Sequence, residues 1–228
     1  MSKGQSERVA KFSSALTADH LSSPPVAGRR ERRAAETRRR LFRCALQLIA
    51  ERGFPNVTVE DITEAADVGK GTFFNYFATK DHVLGVMPEI QLSKVREAVS
   101  AAEQGRMTIH TVLHRLMLRL AEEPGRSPDL ARALISSFLA SKSVREIIVG
   151  NMMEGHRMIA EVVSVGQKRG EINARLQKEM VATQLMQAAM GTILLWSAHG
   201  ESSLKDWIED SFQHFWRAVG VSSQGQKS

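Results

Sequence analysis

The sequence has few of the residues and motifs on which secreted proteins and most enzymes depend. Among its 228 residues Cys44 is the single cysteine, so neither an intrachain disulfide nor a cysteine zinc site can form. The sequence has no run of about twenty apolar residues, which argues against a membrane span. The Gly-x-Ser-x-Gly elbow, glycine-rich phosphate loops, His-Glu-x-x-His and the dinucleotide fingerprint are also missing. We therefore expect no catalytic residue, no cofactor, no metal and no membrane contact.

Strand-like alternation of apolar and polar residues is missing as well, whereas apolar residues recur at helical spacing along most of the chain. The sequence therefore predicts an all-α protein. One cysteine in a chain of this length is typical of a reducing compartment, and we expect a cytoplasmic protein.

Positive charge is concentrated near the N-terminal end. Residues 1–80 hold 14 Lys or Arg against 9 Asp or Glu, a net charge of +5. Residues 81–228 hold 17 against 16, a net charge of +1. A basic region beside a nearly neutral one indicates that the first region meets a polyanion and the second does not.

Residues 58–80 predict two short helices joined by a tight turn. Thr58 can cap the first helix, with Asp61 as the acidic partner of a capping box. Gly69 can relax the turn and cap the second helix, which we expect to run over residues 70–77.

The outward face of the second helix has side chains that suit a DNA major groove. Phe73 and Phe77 are four residues apart and share a face that must be buried. Amides can read base edges, whereas hydroxyls and cations hold phosphates. The alternative is a helical hairpin with exposed aromatic residues and no role in DNA binding. The outward face consists of Lys70, Thr72, Phe74, Asn75 and Tyr76.

With these motifs, residues 36–84 resemble the DNA-binding domain of TetR-type transcriptional regulators. The shared pattern is a capping Thr, Asp-Ile, Ala-Ala, Val, Lys-Gly, an aromatic-rich helix ending in Phe, and Thr-Lys. Gly69 stands where the family usually has Ser. Phe74 stands where it usually has Tyr, so a phenolic phosphate contact is missing. The DNA-contacting residues expected on these grounds are Arg38, Thr58, Lys70, Gly71, Thr72, Phe74, Asn75, Tyr76 and Lys80.

Roles within this set follow from side-chain chemistry. We expect Lys80 and Tyr76 to contact phosphates. Asn75 can pair with the N6 and N7 atoms of adenine, and Thr72 can touch a thymine methyl group.

The predicted organisation is a three-helix helix-turn-helix domain over residues 34–84, followed by a larger helical domain for ligand binding and dimerisation over residues 85–220. Residues 221–228 are expected to be a disordered tail. Residues 1–33 are either a basic arm that follows the DNA backbone or enters a minor groove, or a solvated, mobile tail.

A helix that begins after Thr79 is expected to link the two domains. Pro88 is expected to kink or restart this helix, because proline cannot donate the helical hydrogen bond. A change in the tilt of this helix can carry a signal between the domains.

The last two helices are apolar over more than one stripe, so one stripe can face the chain's own core and another a second copy. In regulators of the resembled type, these helices form a four-helix bundle across a two-fold axis. The alternative is that both stripes are buried in a monomer. The predicted interface residues are Leu185, Ile193, Trp207, Phe212, Phe215 and Trp216.

A ligand pocket is predicted from flexible and aromatic residues on helices that should converge, since methionine adapts to irregular apolar cavities. His110 and His114 have a spacing that can bind metal, but no third ligand follows, so a hydrogen-bonding pair near the pocket is expected instead. The predicted pocket residues are His114, Met117, Phe138, Met152, His156, Met186 and Trp196.

Three functions remain open at this point. The first is a homodimeric repressor, bound to the bacterial nucleoid, that a small and largely apolar effector releases from a palindromic double-stranded DNA operator. The second is a regulator or activator that binds DNA and responds to no ligand. The third is a helical enzyme whose site forms only on folding, which would have no need of the basic N-terminal domain.

Overall fold

A computed structural model of the chain describes residues 28–140, 142–200 and 202–221. The described part has ten α-helices, two short 3-10 turns and, as its only extended pairing, an isolated antiparallel bridge between Ile172 and Gly220. The all-α prediction is confirmed. The helices are α1 Arg29–Arg52, α2 Val59–Ala65, α3 Lys70–Tyr76, α4 Lys80–Leu84, α5 Val86–Gln104, α6 Ile109–Leu120, α7 Pro128–Ala140, α8 Lys142–Lys168, α9 Lys178–His199 and α10 Leu204–Val219.

The chain divides into two compact units, one up to Arg39 and one from Arg40 onward. The described part of the first unit is the first half of α1, where the backbone N–H of Gly28 donates to Glu31 at 3.0 Å. The helix α1 begins five residues before residue 34, which was predicted as the start of the helix-turn-helix domain. This extension is rich in arginine, which is a good helix former. Residues 1–27 of the predicted arm and residues 222–228 of the predicted tail lie outside the described part.

One apolar core of the second unit brings α1, α2 and α3 together. It is built around side chains with no exposed surface, among them Leu41, Ile49, Ile62 and Phe73. This core also includes residues of α4, α5 and α7: Val83, Leu84, Val86, Met87, Leu130 and Ala133. The predicted division between residues 34–84 and 85–220 therefore has no break in packing, and as a functional division it stays a prediction.

The linking helix begins at Lys80, directly after Thr79 as predicted, and it restarts at Val86, so its break lies at Gly85, three residues before Pro88. Pro88 has no N–H to donate to the carbonyl of Leu84, so the helix ends at Leu84. Pro88 itself lies in the first turn of α5, where no helical donor is required. A Cβ atom at Gly85 would lie 3.1 Å from the carbonyl oxygen of His82 and 3.5 Å from Ile147 of α8.

The helices α5, α6, α8, α9 and α10 pack around a second apolar core. We call these helices, together with their core, the body. Its last two helices are joined by a short turn, where the indole N–H of Trp196 donates to the carbonyl of Ser202 at 2.6 Å. The indole N–H of Trp207 donates to the hydroxyl of the same serine at 2.5 Å. Across the described ranges, no helix combines the length and the apolar character that a bilayer span requires.

One buried charge ties α5 to the end of α6. Lys94 is 5% exposed, and its ammonium lies 2.5 Å from the carboxylate of Glu123 and 3.3 Å from that of Glu122. Gln91, one turn earlier, donates to the carbonyl of Leu120 at 3.1 Å. Because a buried ammonium without a partner is strongly unfavourable, these contacts fix α5 to the end of α6.

Candidate nucleic-acid interface

A complete capping box begins α2. The Thr58 hydroxyl accepts from the backbone N–H of Asp61 at 3.1 Å, and the Asp61 carboxylate accepts from the Thr58 N–H at 2.7 Å. Asp61 also accepts from the Thr58 hydroxyl at 2.6 Å, and these hydrogen bonds hold the pKa of Asp61 below its usual value. The cap predicted from the sequence is confirmed. Thr58 thus positions α2, and a direct contact from Thr58 to DNA stays a prediction.

The turn between α2 and α3 is a Schellman motif with a left-handed aspartate. Asp67 has φ 49°, its N–H donates to Glu64, and the N–H of Val68 donates to the carbonyl of Thr63 at 3.0 Å. Gly69 caps α3 as predicted, but its φ of −70° lies in the extended region, which any residue can adopt. Asp67 therefore makes the turn that the sequence assigned to Gly69.

Helix α3 has one buried face and one open face. Phe73 and Phe77 are buried, as their spacing predicted, and their rings are 5.3 Å apart. Phe74 is 50% exposed, an unusual position for a phenylalanine that has no partner surface. Of the other residues predicted to face outward, Lys70, Gly71 and Asn75 are exposed, and Thr72 and Tyr76 are half-buried.

The lysine at the start of α3 is paired with an acidic residue of α2. The Lys70 ammonium forms a salt bridge and a hydrogen bond with Glu60, and this contact lowers the pKa of the Glu60 carboxyl. Both side chains are exposed, so the pair contributes little to stability. The pairing was not predicted, because ten residues separate the two across a turn.

The lysine that begins α4 is turned inward. The Lys80 ammonium donates to the carbonyls of Phe54 and Val57 at 2.9 and 2.8 Å, and it lies 4.3 Å from the centre of the Phe54 ring. Two of its three N–H groups are thus used within the chain. Lys80 thus holds the segment before α2, and a phosphate contact from Lys80 stays a prediction.

The remaining predicted DNA contact, Arg38, is half-buried on α1 and belongs to the unit that ends at Arg39. In the second unit, the short helix α3 has an open face. The turn at Asp67 joins it to α2, and the hydrogen bonds of Lys80 to the segment before α2, which we call the Lys80 clamp, support it. Such a helix presents an amide, a cation and an aromatic ring to a groove while its backbone is held.

Comparison with known proteins identifies a family that shares this arrangement of helices. The family model of the bacterial regulatory proteins of the tetR family matches residues 41–87. The match covers α2, α3, α4 and the second half of α1. As the resemblance implied, this segment is similar to the helix-turn-helix domain of DNA-binding transcriptional regulators, and further helices follow it.

Individual relatives agree with this assignment. TcmR of Streptomyces glaucescens, a transcriptional regulator, is 40% identical over 85 residues, which are 37% of this chain and only 36% of TcmR. The transcriptional repressor DhaR of Mycobacterium sp. (strain GP1) is 26% identical over 163 residues, 69% of this chain and 80% of DhaR. These relatives are transcriptional regulators rather than enzymes.

A solved structure extends the fold similarity to the body. Thermus thermophilus FadR, a TetR-family transcriptional repressor solved in complex with lauroyl-CoA, aligns with a TM-score of 0.60 and 27% identity. The alignment covers 84% of this chain and 99% of FadR.

The structure of the body corrects the predicted dimer residues. Leu185, Phe212 and Phe215 are buried in the chain's own core, so their side chains are not available to a partner. In α9 apolar residues occur on several sides, so its buried stripe could not be distinguished from the sequence, whereas Phe212 and Phe215 share the single apolar stripe of α10. Ile193, Trp207 and Trp216 are half-buried at the edge of that core, and their part in an interface stays a prediction. The large apolar side chains that α9 does expose are Met180, Met190, Leu194 and Leu195.

Four of the seven predicted pocket residues line one open groove between α7, α8 and α9, with a volume of about 970 Å³. Near this groove, the Nε2 atom of His156 is 2.9 Å from both the carbonyl of Glu179 and the hydroxyl of Thr183. Met117 and Trp196 are instead buried in the core and do not reach the groove. The four groove residues are Phe138, Met152, His156 and Met186; we call this the α8–α9 groove.

The seventh predicted pocket residue, His114, contacts α10 instead of the groove. Its Nε2 atom lies 2.7 Å from the Glu209 carboxylate, and its ring is 4.9 Å from that of Phe212. His110 stacks on His114, and burial together with that neighbour lowers the pKa of His110. Within the described part of the chain, no three His, Cys, Asp or Glu side chains are grouped so that they could hold a metal.

Proposed function

We propose that the chain is a TetR-family regulator, namely a homodimeric repressor that leaves a palindromic operator when a small, largely apolar ligand binds its body. The observation that carries the proposal is the open face of α3, where Lys70, Phe74 and Asn75 are exposed on a braced helix. A seven-residue helix reads too few base pairs for useful specificity, so two copies are needed. We further propose that it acts on chromosomal DNA in the bacterial cytoplasm.

The dimer is proposed to form through the outer face of α9. Leu194 and Leu195 are 51% and 55% exposed there, and apolar side chains of this size on one surface favour association. Replacing both with glutamate should convert the protein to a monomer in sedimentation experiments. The matched control is Val221→Glu, at an exposed valine beyond α10. A dimer that survives the double substitution contradicts this surface.

The ligand is proposed to bind in the α8–α9 groove. Its methionines, Met152 and Met186, can adapt to an apolar chain, and the volume of about 970 Å³ suits a ligand of drug size or larger. The bound lauroyl-CoA of Thermus thermophilus FadR supports an acyl chain as the first ligand to try.

Coupling is proposed to run through α4 and α5, which are anchored at opposite ends. Lys80 ties α4 to the segment before α2, and Lys94 ties α5 to Glu123 of the body. Gly85 separates the two helices, so a tilt of α5 can move the DNA-binding helices. In a dimer, two α3 helices must lie about 34–36 Å apart, or a multiple of this, to enter successive major grooves.

Calorimetry with lauroyl-CoA tests this function, in the presence and in the absence of the operator. A ligand that releases DNA must bind the DNA-free form better, and operator DNA must weaken ligand binding by the same factor. The variant Met186→Glu should lose ligand binding, whereas the control Met180→Glu, at an exposed methionine of the same helix, should keep it. Equal ligand affinity in both titrations contradicts induction and leaves a regulator controlled in another way.

A further inference from the structure

Four arginines of the first unit lie along one side of α1. Arg29, Arg32, Arg33 and Arg39 have the spacing i, i+3, i+4 and i+10, which aligns them in one stripe of a helix. All four side chains are exposed, and none forms an ion pair with any residue that the structure describes. We call these four residues the arginine stripe. Glu36 lies on the same side, so the local net charge is +3.

The helical form of this segment limits the partner that it can meet. An α-helix with its side chains is about 10–12 Å wide, whereas the minor groove of B-DNA is about 6 Å wide. The segment therefore cannot enter a minor groove as an extended arm does. Its ten helical steps, from Arg29 to Arg39, extend over about 15 Å, which corresponds to roughly four phosphates along one DNA strand.

The side chains of the stripe suit phosphates better than bases. Base readout uses side chains that neighbouring groups hold in a fixed geometry. The arginines of the stripe are not held by any residue within the described ranges, and a phosphate accepts hydrogen bonds from many directions. We propose that the arginine stripe binds the phosphate backbone of duplex DNA and adds affinity that does not depend on sequence. This inference rests on the proposed function, because it assumes that the protein binds duplex DNA.

The test measures how salt affects binding of the full chain to long duplexes of random sequence, one A·T-rich and one G·C-rich. Glutamine replaces all four arginines because it is a good helix former, and circular dichroism checks that the helix content is kept. The test variant is R29Q/R32Q/R33Q/R39Q. The control variant removes four exposed arginines of the body, R96Q/R106Q/R126Q/R175Q.

Each lost phosphate contact lowers the slope of log K against log salt by about 0.9, so the test variant should lose roughly three to four units for each bound chain and about twice that as a dimer. Its affinity at low salt should fall at least roughly tenfold on both duplexes, and the control should keep the parent's slope. An unchanged slope in the test variant, or an equal loss in the control, overturns the proposal. A loss restricted to the A·T-rich duplex would mean minor-groove entry and overturns it as well.

The outcomes also separate this inference from the proposed function. A parent protein that prefers its operator while the test variant keeps the full salt slope contradicts the arginine stripe alone. A parent that binds random duplexes through the stripe but prefers no operator contradicts the repressor alone. A parent that binds no DNA contradicts both.

Discussion

The ammonium of Lys80 donates to the carbonyl of Val57 at 2.8 Å, which joins the start of α4 to the segment before α2. The same ammonium also donates to the Phe54 carbonyl, so its loss removes one donor from each of two carbonyls, and the Phe54 carbonyl keeps only the N–H of Val57. We predict that Lys80→Met lowers the free energy of unfolding by about 1–3 kcal/mol. Lys70→Met, at an exposed lysine, should change it by no more than about 0.5 kcal/mol. Chemical denaturation measures both, and equal effects would contradict the clamp.

Asn75 is predicted to read a base, because its amide is exposed on the open face of α3. Asn75→Ala should weaken binding to the operator by about 1–3 kcal/mol and leave binding to random duplexes almost unchanged. Fluorescence anisotropy on the two kinds of duplex makes the comparison. If both affinities fell by the same factor, Asn75 would not contribute to sequence specificity.

Glu60 is predicted to restrain DNA binding by holding the ammonium of Lys70. Glu60→Gln removes a negative charge and frees that ammonium for a phosphate, so affinity at low salt should rise by about 3- to 10-fold. Glu64→Gln, at an exposed glutamate of the same helix, is the matched control and should have a smaller effect. No gain over the control would mean that Lys70 does not reach the DNA.

His110 is predicted to make the body sensitive to acid. Burial and His114 lower its pKa below the ordinary value of 6.5, so the folded state favours the neutral ring. The stabilisation from this neutral ring is complete above the unfolded pKa and is lost as the pH falls through the lowered value. Nearby Glu171 and Glu209 oppose the shift without reversing it.

Urea denaturation above pH 6.5 and about one unit below it should therefore give a lower unfolding free energy at the acidic pH. His110→Phe should reduce that difference, since phenylalanine keeps the ring contacts with Phe212 and Trp216 but cannot bind a proton. His214→Phe, at an exposed histidine of α10, should behave like the parent. A parent-like pH response in the His110 variant would contradict this origin of the acid sensitivity.

Local signals in the sequence predicted the recognition hairpin well. The Thr58–Asp61 box and the Phe73–Phe77 face depend on residues three or four apart, and the structure confirms both. The turn was assigned to Gly69 because glycine is the usual left-handed residue, but aspartate also tolerates that region and Asp67 takes it.

Contacts between distant residues could not be predicted in the same way. The sequence marked Lys80 as a cation beside DNA, yet its partners, Phe54 and Val57, are more than twenty residues away. In α9 apolar residues occur on several sides, so periodicity could not decide that Leu185 faces the chain's own core. In such helices only packing determines which stripe remains at the surface.

The positions of the indole rings make the body an intrinsic fluorescent reporter. All three tryptophans of the chain lie on α9 and α10, whereas the single tyrosine, Tyr76, lies on α3. Emission excited beyond the tyrosine band therefore comes from the body alone. Trp196, whose N–H is fixed to Ser202, supplies a shielded signal, and the half-buried Trp207 and Trp216 supply signals that respond to contact. Binding of the proposed effector and association of the proposed dimer can thus be followed in the presence of DNA without a label.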